Sequence, residues 1–233
     1  MSIRTAVLAT GLLALLLAGC SNPRTLRVDD DASLAGTVRA LHRFGGVGQG
    51  GGGVEVEAHA VRGKATQVLD NFDTVTLGGR SIPGPGVVSN RARAQHLQLV
   101  YNHLLFQGRP VELEWFAGAT VAQLRWDTTS TNPAHPALSY RRSWYGPAGG
   151  IAARVRLVPG LALEARYAGA IEYRRILGAA RESAEVVLAW NPVPALQLRA
   201  GMGETRVNVD DELDASDLSL RVRGPFAGLT LSF

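Results

Sequence analysis

From Val54 to the carboxyl end this chain alternates apolar and polar side chains with period two, and nothing else in it constrains the fold as strongly. Period two puts successive side chains on opposite faces of a strand. Eight segments carry it. They are centred on Val54–Ala60, Leu97–Tyr101, Val111–Val121, Ala153–Leu157, Leu161–Tyr173, Ala184–Trp190, Leu196–Met202 and Leu218–Phe233. The last crosses Gly224-Pro225, where a bulge is expected to keep Leu218, Leu220 and Val222 on the face of Leu229, Leu231 and Phe233.

The connections carry independent information. After segments two, four and six they are short: Gln107-Gly108-Arg109, Val158-Pro159-Gly160 and Asn191-Pro192-Val193. The others are long and polar, among them Arg62–Ser89, Asp127–Ser143 and Asn208–Asp217. Strict short and long alternation predicts an all-β fold, an eight-stranded antiparallel up-and-down transmembrane barrel over residues 54–233. An even strand count puts both chain ends at the short-turn rim. Aromatics fall in two bands: Phe106, Trp115, Trp190 and Phe233 at that rim, and Trp126, Tyr140, Trp144, Tyr145 and Tyr173 towards the long loops.

The start of the chain is of another kind. A basic Met1–Arg4 precedes an apolar stretch, Ala6–Ala18, too short to span a bilayer and right for a signal peptide over residues 1–19. It ends in Leu17-Ala18-Gly19-Cys20, which holds the only cysteine and resembles the bacterial lipobox. The resemblance implies cleavage before Cys20, lipid on its sulfur and acylation of the new amino terminus. Ser21 then points to the outer membrane, the lipid entering from the periplasmic side. Residues 20–53 read as a lipid-anchored tether. Within it Asp29-Asp30-Asp31 followed by Leu34, Val38 and Leu41 suggests a short helix, with a strand over Thr37–Phe44 as the alternative. Gly46, Gly48 and Gly51 satisfy a dinucleotide-type glycine spacing but lack a strand before and a helix after, so the run reads as linker.

The barrel region resembles the small eight-stranded outer-membrane barrels of the OmpA and OmpX type. Its ending, Gly228 to Phe233, is similar to the signal read by the barrel-assembly machinery, with Phe233 as its last residue. The resemblance implies a membrane location and outer-membrane lipids, lipopolysaccharide included, as neighbours.

With the apolar face on lipid, the polar face lines the lumen. Glu55, Glu57, Glu112, Glu114, Glu164 and Glu172 then meet Arg154, Arg156, Arg166, Arg199, Arg221 and Arg223. A barrel this narrow is filled by its side chains, and buried charges must pair, so an ion-pair core is expected. The mirror image is a lipid-anchored lipocalin-like barrel with apolar side chains inside. The mixing of Ala and Gly into the polar face, the terminal Phe and the two aromatic bands argue against it.

No catalytic site is expected. His96 and His103 are seven apart on one strand and face opposite sides. His42 and His59 are the remaining histidines beside His135, which has Ser139 four residues on, and nothing in the sequence orients a triad. No zinc-ligand spacing occurs, and no cofactor is implied. Asp210, Asp211, Glu212, Asp214 and Asp217 read as a solvated outer loop. The net charge is +4, with Lys64 the only lysine beside 23 arginines, and the basic residues form no run, which speaks against nucleic acid. The expected role is structural, or binding of an unidentified ligand by the outer loops, Arg62–Ser89 first. The rivals are a small-solute pore and a lipid-modifying enzyme.

Overall fold

The computed structural model describes residues 22–23, 26–30, 35–44, 51–108, 110–133, 137–173, 179–211 and 216–233. These form β1 (Asn22–Pro23), β2 (Leu26–Asp30), β3 (Ala35–Arg43), β4 (Gly52–Leu69), β5 (Asp73–Leu77), β6 (Arg80–Pro83) and β7 (Gly86–Gln107). Then come β8 (Val111–Ser130), β9 (Ala137–Val158), β10 (Leu161–Ile171), β11 (Ala179–Val193), β12 (Leu196–Asp211) and β13 (Ser216–Ser232).

The chain is all-β and closes a barrel, in the order β3-β4-β7-β8-β9-β10-β11-β12-β13 and back to β3. That is nine strands, not eight. Every neighbouring pair is antiparallel except the seam, where β3 lies parallel to β13 with Phe226 opposite Ala35 and Ser232 opposite Leu41. An odd number of alternating strands cannot close otherwise. The ninth strand is the segment read as a short helix with a strand over Thr37–Phe44 as the alternative, and the alternative holds. Ala35–Arg43 does carry apolar residues at helical spacing, but Ala35, Thr37, Arg39 and Leu41 are buried in alternation, the pattern of a strand. The expected tether therefore contains a barrel strand. Its glycine run at residues 45–50 lies outside the described residues, as does Cys20.

The seam also separates the ends. β2 runs parallel to the upper part of β13, Leu26 opposite Leu218, and β1 pairs with β5 in the first long connection. The described chain thus begins at the long-loop rim, while Phe233 donates its backbone N–H to Leu41 at the short-turn rim. The strand-parity argument that put both ends on one side fails.

The strands outlast the expected segments. β7 and β9 each run 22 residues, about twice what a tilted membrane strand needs. The long connections shrink accordingly. The first is residues 70–85, carrying the β5–β6 hairpin over a Gly78-Gly79 turn, where both φ angles are positive, 58° and 72°. The strand Asp73–Leu77 of this hairpin is no part of the barrel wall. Asp210 and Asp211 belong to β12 rather than to a loop.

Length alone does not set the faces; polarity changes along each strand. On β4, Val54, Val56, Ala58 and Ala60 point out, and Glu55, Glu57 and His59 point in. Past that level Arg62 and Lys64 point out, and Val61 and Leu69 point in. On β7 the outward Leu97, Leu99 and Tyr101 give way upward to Gln95, Arg93 and Arg91. On β13 no bulge interrupts the ladder, so Leu218, Leu220 and Val222 point in while Leu229, Leu231 and Phe233 point out. The lower half, at the short turns, is apolar outside and polar inside; the upper half is the reverse. Both sequence readings of the faces hold, each for one half.

The upper half has a conventional core. Leu124, Trp126, Leu218 and Leu220 are fully buried, joined by Leu26 and Val28 from β2 and by Val75, Leu77 and Ile82 from the hairpin. Trp126, Tyr140 and Trp144 belong to this core and not to an outer aromatic band. Tyr145 and Tyr173 are exposed and stack at 6.1 Å. The lower band holds: Phe106, Trp190 and Phe233 are exposed, beside Tyr101 and Trp115 with rings 6.0 Å apart.

Candidate functional site

The lower lumen is where charge is concentrated. Strand alternation delivers the side chains: β3 brings Arg39, β4 Glu55 and Glu57, β10 Glu164 and Arg166, β11 Glu185 and β12 Arg199. Arg39 stands opposite Glu57 in register. Its Nε donates to Glu57 Oε2 at 2.6 Å and its Nη2 crosses the lumen to Glu185 Oε1 at 2.7 Å. Arg199 donates to the same Glu185 oxygen at 2.6 Å and to Glu164 at 3.0 Å. Arg166 donates to Glu55 at 2.7 Å and lies 3.5 Å from Glu57, with its guanidinium 3.7 Å above the Phe116 ring. Arg154 reaches Glu164 at 3.7 Å. Arg39, Glu55, Glu57, Arg166 and Arg199 are buried and Glu164, Glu185 and Arg154 partly so, so the attraction at the centre is little screened and each group depends on the others.

Above this lattice, at the level where polarity inverts, His59 and His96 stand opposite each other with rings 4.9 Å apart. His59 shares hydrogen bonds with the hydroxyls of Thr37 at 2.7 Å and Thr205 at 3.3 Å; His96 lies 3.4 Å from Glu57. Hydroxyl, imidazole and carboxylate are all present but do not form one relay: the His with hydroxyl partners is not the one that meets the acid. The adjoining cavity is about 10 Å³, room for a single water at most and no substrate. Beside it Arg181 is buried with a bond from Nη2 to Ser183 at 3.1 Å, while its Nε and Nη1 find no partner among the described residues.

Most expected lumen residues do face inward. Glu55, Glu57, Glu112, Glu114, Arg154, Arg156, Glu164, Arg166 and Arg199 line the lower barrel, Glu112 pairing with Arg156 and Glu114 lying 3.8 Å from Arg43. Glu172 sits past β10 at the long-loop rim, where Arg142 donates to it at 2.7 Å. Arg221 and Arg223 are corrections. They point outward, because the straight β13 ladder gives the inward positions to Leu220 and Val222. Glu204 on β12 also points out and accepts from Arg221 at 3.0 Å and Arg206 at 2.5 Å, bonds that hold its carboxyl below the usual range.

Four lumen groups were missed in sequence. Arg39 and Arg43 were assigned to the tether. Glu185 and Arg181 were visible as polar positions between Ala184, Val186 and their neighbours, but only the register shows what they face. His135 and Cys20 lie outside the described residues.

Below the lattice the lumen opens as a polar vestibule of about 320 Å³ at the short-turn rim, lined by Arg43, Glu112, Glu114, Arg154, Gln197 and Ser232 among others. It is blind, since the ion pairs and then the upper core stand above it. A shallow trough of about 590 Å³ lies on the apolar exterior over Ala153, Ala165 and Ala184, edged by Ile151, Tyr167 and Met202. No group of three or more metal-ligating side chains occurs among the described residues.

Compared with protein-family models, characterised proteins and solved structures, the chain matches none.

Proposed function

We propose that this protein is an outer-membrane β-barrel lipoprotein whose lower half is embedded in the bilayer and whose upper half projects from it as a closed body. Its role is structural or binding rather than chemical. The observation that carries this reading is the inversion of polarity along single strands. Val56, Leu97, Leu99, Val121, Ile151, Val186 and Met202 are exposed all round one half of the cylinder, and charged side chains replace them on the other. Water on both halves would leave the lower band costly; lipid on both would strand the upper charges. On β10 the outward face from Leu161 to Ile171 spans ~34 Å of strand, or ~26 Å along the axis at a tilt of ~40°. That matches the apolar height of such barrels. The nine strands depart from the even number of the OmpA and OmpX type.

A conducting path would have to cross the Arg39, Glu57 and Glu185 cluster and then the packed side chains of Leu124, Trp126 and Leu220. A silent barrel in planar bilayers is expected. A lipocalin-like role needs a ligand cavity in the apolar half, and there the hairpin residues Val75, Leu77 and Ile82 occupy the interior.

The experiment is gel mobility of outer-membrane fractions, unboiled and boiled, for the natural chain and Cys20→Ala. A spanning barrel stays in the membrane fraction without its lipid and shifts on heating. Release of the Cys20→Ala protein as soluble, unshifted material would overturn the reading.

A further inference from the structure

The exterior just above the apolar band carries an arrangement that the fold does not require. Arg62 stands opposite Arg93, Arg93 opposite Arg125, and Arg125 opposite Arg141. Four arginines thus lie abreast on β4, β7, β8 and β9, all pointing outward and all exposed. Side chains in such positions have their Cβ atoms roughly 5 Å apart, and like charges directly opposite are destabilising. Of the four, Arg125 alone has an acidic partner among the described residues, Asp127 at 3.1 Å on its own strand.

The other side of the barrel solves the same problem differently. There Arg206 and Arg221, also opposite each other, share Glu204 between them. The β4–β9 face has no such acid in the row. Beneath the row runs a level without charge, Ala60, Gln95, Gln123 and Ser143, and beneath that Ala58, Leu97, Val121 and Tyr145. Successive levels on one face are ~7 Å apart along the strand. The order is hydrocarbon, then neutral polar groups, then a line of guanidinium forks.

We infer that this arginine row binds the phosphate groups of anionic lipid headgroups packed around the barrel, the bis-phosphorylated glycolipid type above all. The inference rests on the membrane reading given above. Guanidinium forks bind phosphate oxygens in pairs. Adjacent phosphates on one lipid, or on neighbours, match a row in which fixed positive charges repeat at strand spacing. Lipid phosphate supplies from outside the neutralisation that Glu204 supplies from within on the far side.

The test uses the full-length protein in phosphatidylcholine vesicles, probed with fluorescent lipid A, its dephosphorylated form, and inorganic phosphate as competitor. The variants are Arg62→Gln/Arg93→Gln/Arg125→Gln/Arg141→Gln, the milder Arg93→Gln/Arg125→Gln, and Arg206→Gln as a control on the other face. All should keep the heat-dependent gel shift. The fourfold variant should bind lipid A at least roughly tenfold more weakly, the double variant several-fold, and the control as the natural chain does. Lipid A should exceed its dephosphorylated form by a similar factor, with millimolar phosphate a poor competitor. Equal binding by all variants, or of the dephosphorylated lipid, would sink the inference while an inserted, heat-shifting barrel leaves the membrane reading standing. Full competition by inorganic phosphate would make the row a free-phosphate site. Failure of the natural protein to insert at all would overturn both.

Discussion

Arg39 and Arg181 share one interior and face opposite circumstances. Arg39 touches Glu57 and Glu185 and lies 3.9 Å from Glu55. Arg181 has no carboxylate within ion-pair distance among the described residues and two nitrogens without a partner. Removing one member of a buried charge cluster strands the rest, at about 3–5 kcal/mol. Arg39→Leu is therefore expected to lower the temperature of the heat-dependent gel shift sharply. Arg181→Leu, which removes a cation held in no ion pair among the described residues, should hold or raise it; a drop as large as that of Arg39→Leu would mean Arg181 has a partner such as a bound anion. Sequence showed the inward set of β4, β8 and β10 correctly because apolar and polar positions alternate there without ambiguity. It misplaced Arg221 and Arg223 for an instructive reason. Leu218, Leu220 and Val222 are even-numbered, Leu229, Leu231 and Phe233 odd. That shift in parity was absorbed by an assumed bulge, when a straight strand reads it as a change of surroundings along its length.

Among the elements, the eight antiparallel strands were legible because each connects to the next through a turn whose length and residues are local. Gly160, with φ of 79° in the Pro159-Gly160 turn, is of that kind. β3 was not legible. Its partner β13 lies about as far away in sequence as the chain allows, and its composition fits a helix equally well until that partner is present. β2 depends on one residue of the wall. A Cβ on Gly63 would sit 2.6 Å from Val28 Cγ1 and 3.2 Å from both Leu220 Cδ1 and Val222 Cγ2. Gly63→Val should thus expel β2 from the upper core at a cost of about 1–3 kcal/mol. Limited proteolysis should find new cleavage near Leu26 while the gel shift persists. An unchanged digest would mean that β2 is not seated against Gly63.

At the scale of the whole molecule the four tryptophans report the inversion directly. Trp190 is exposed on the lower exterior and Trp115 half-buried beside Tyr101; Trp126 and Trp144 are sealed in the upper core. In single-tryptophan variants reconstituted with brominated lipids, Trp115 and Trp190 should be strongly quenched and Trp126 and Trp144 hardly at all. Uniform quenching would mean that lipid reaches the upper half too.

The parallel seam has a consequence for how such a molecule can come into being. β13 meets β12 over sixteen residue pairs and β3 over only seven, and parallel pairing is the weaker kind. The seven cannot form until every other strand of the wall has been made, because they join its first strand to its last. This is a clasp of maximal contact order. Until it shuts, β3 and β13 both present bare edges to any strand that comes near. A chain without Phe226–Ser232 would lose all seven of these pairs and keep at the seam only the five that β2 makes with Leu218–Val222. It would be an open, adhesive sheet, and quality control would have a single late event to watch.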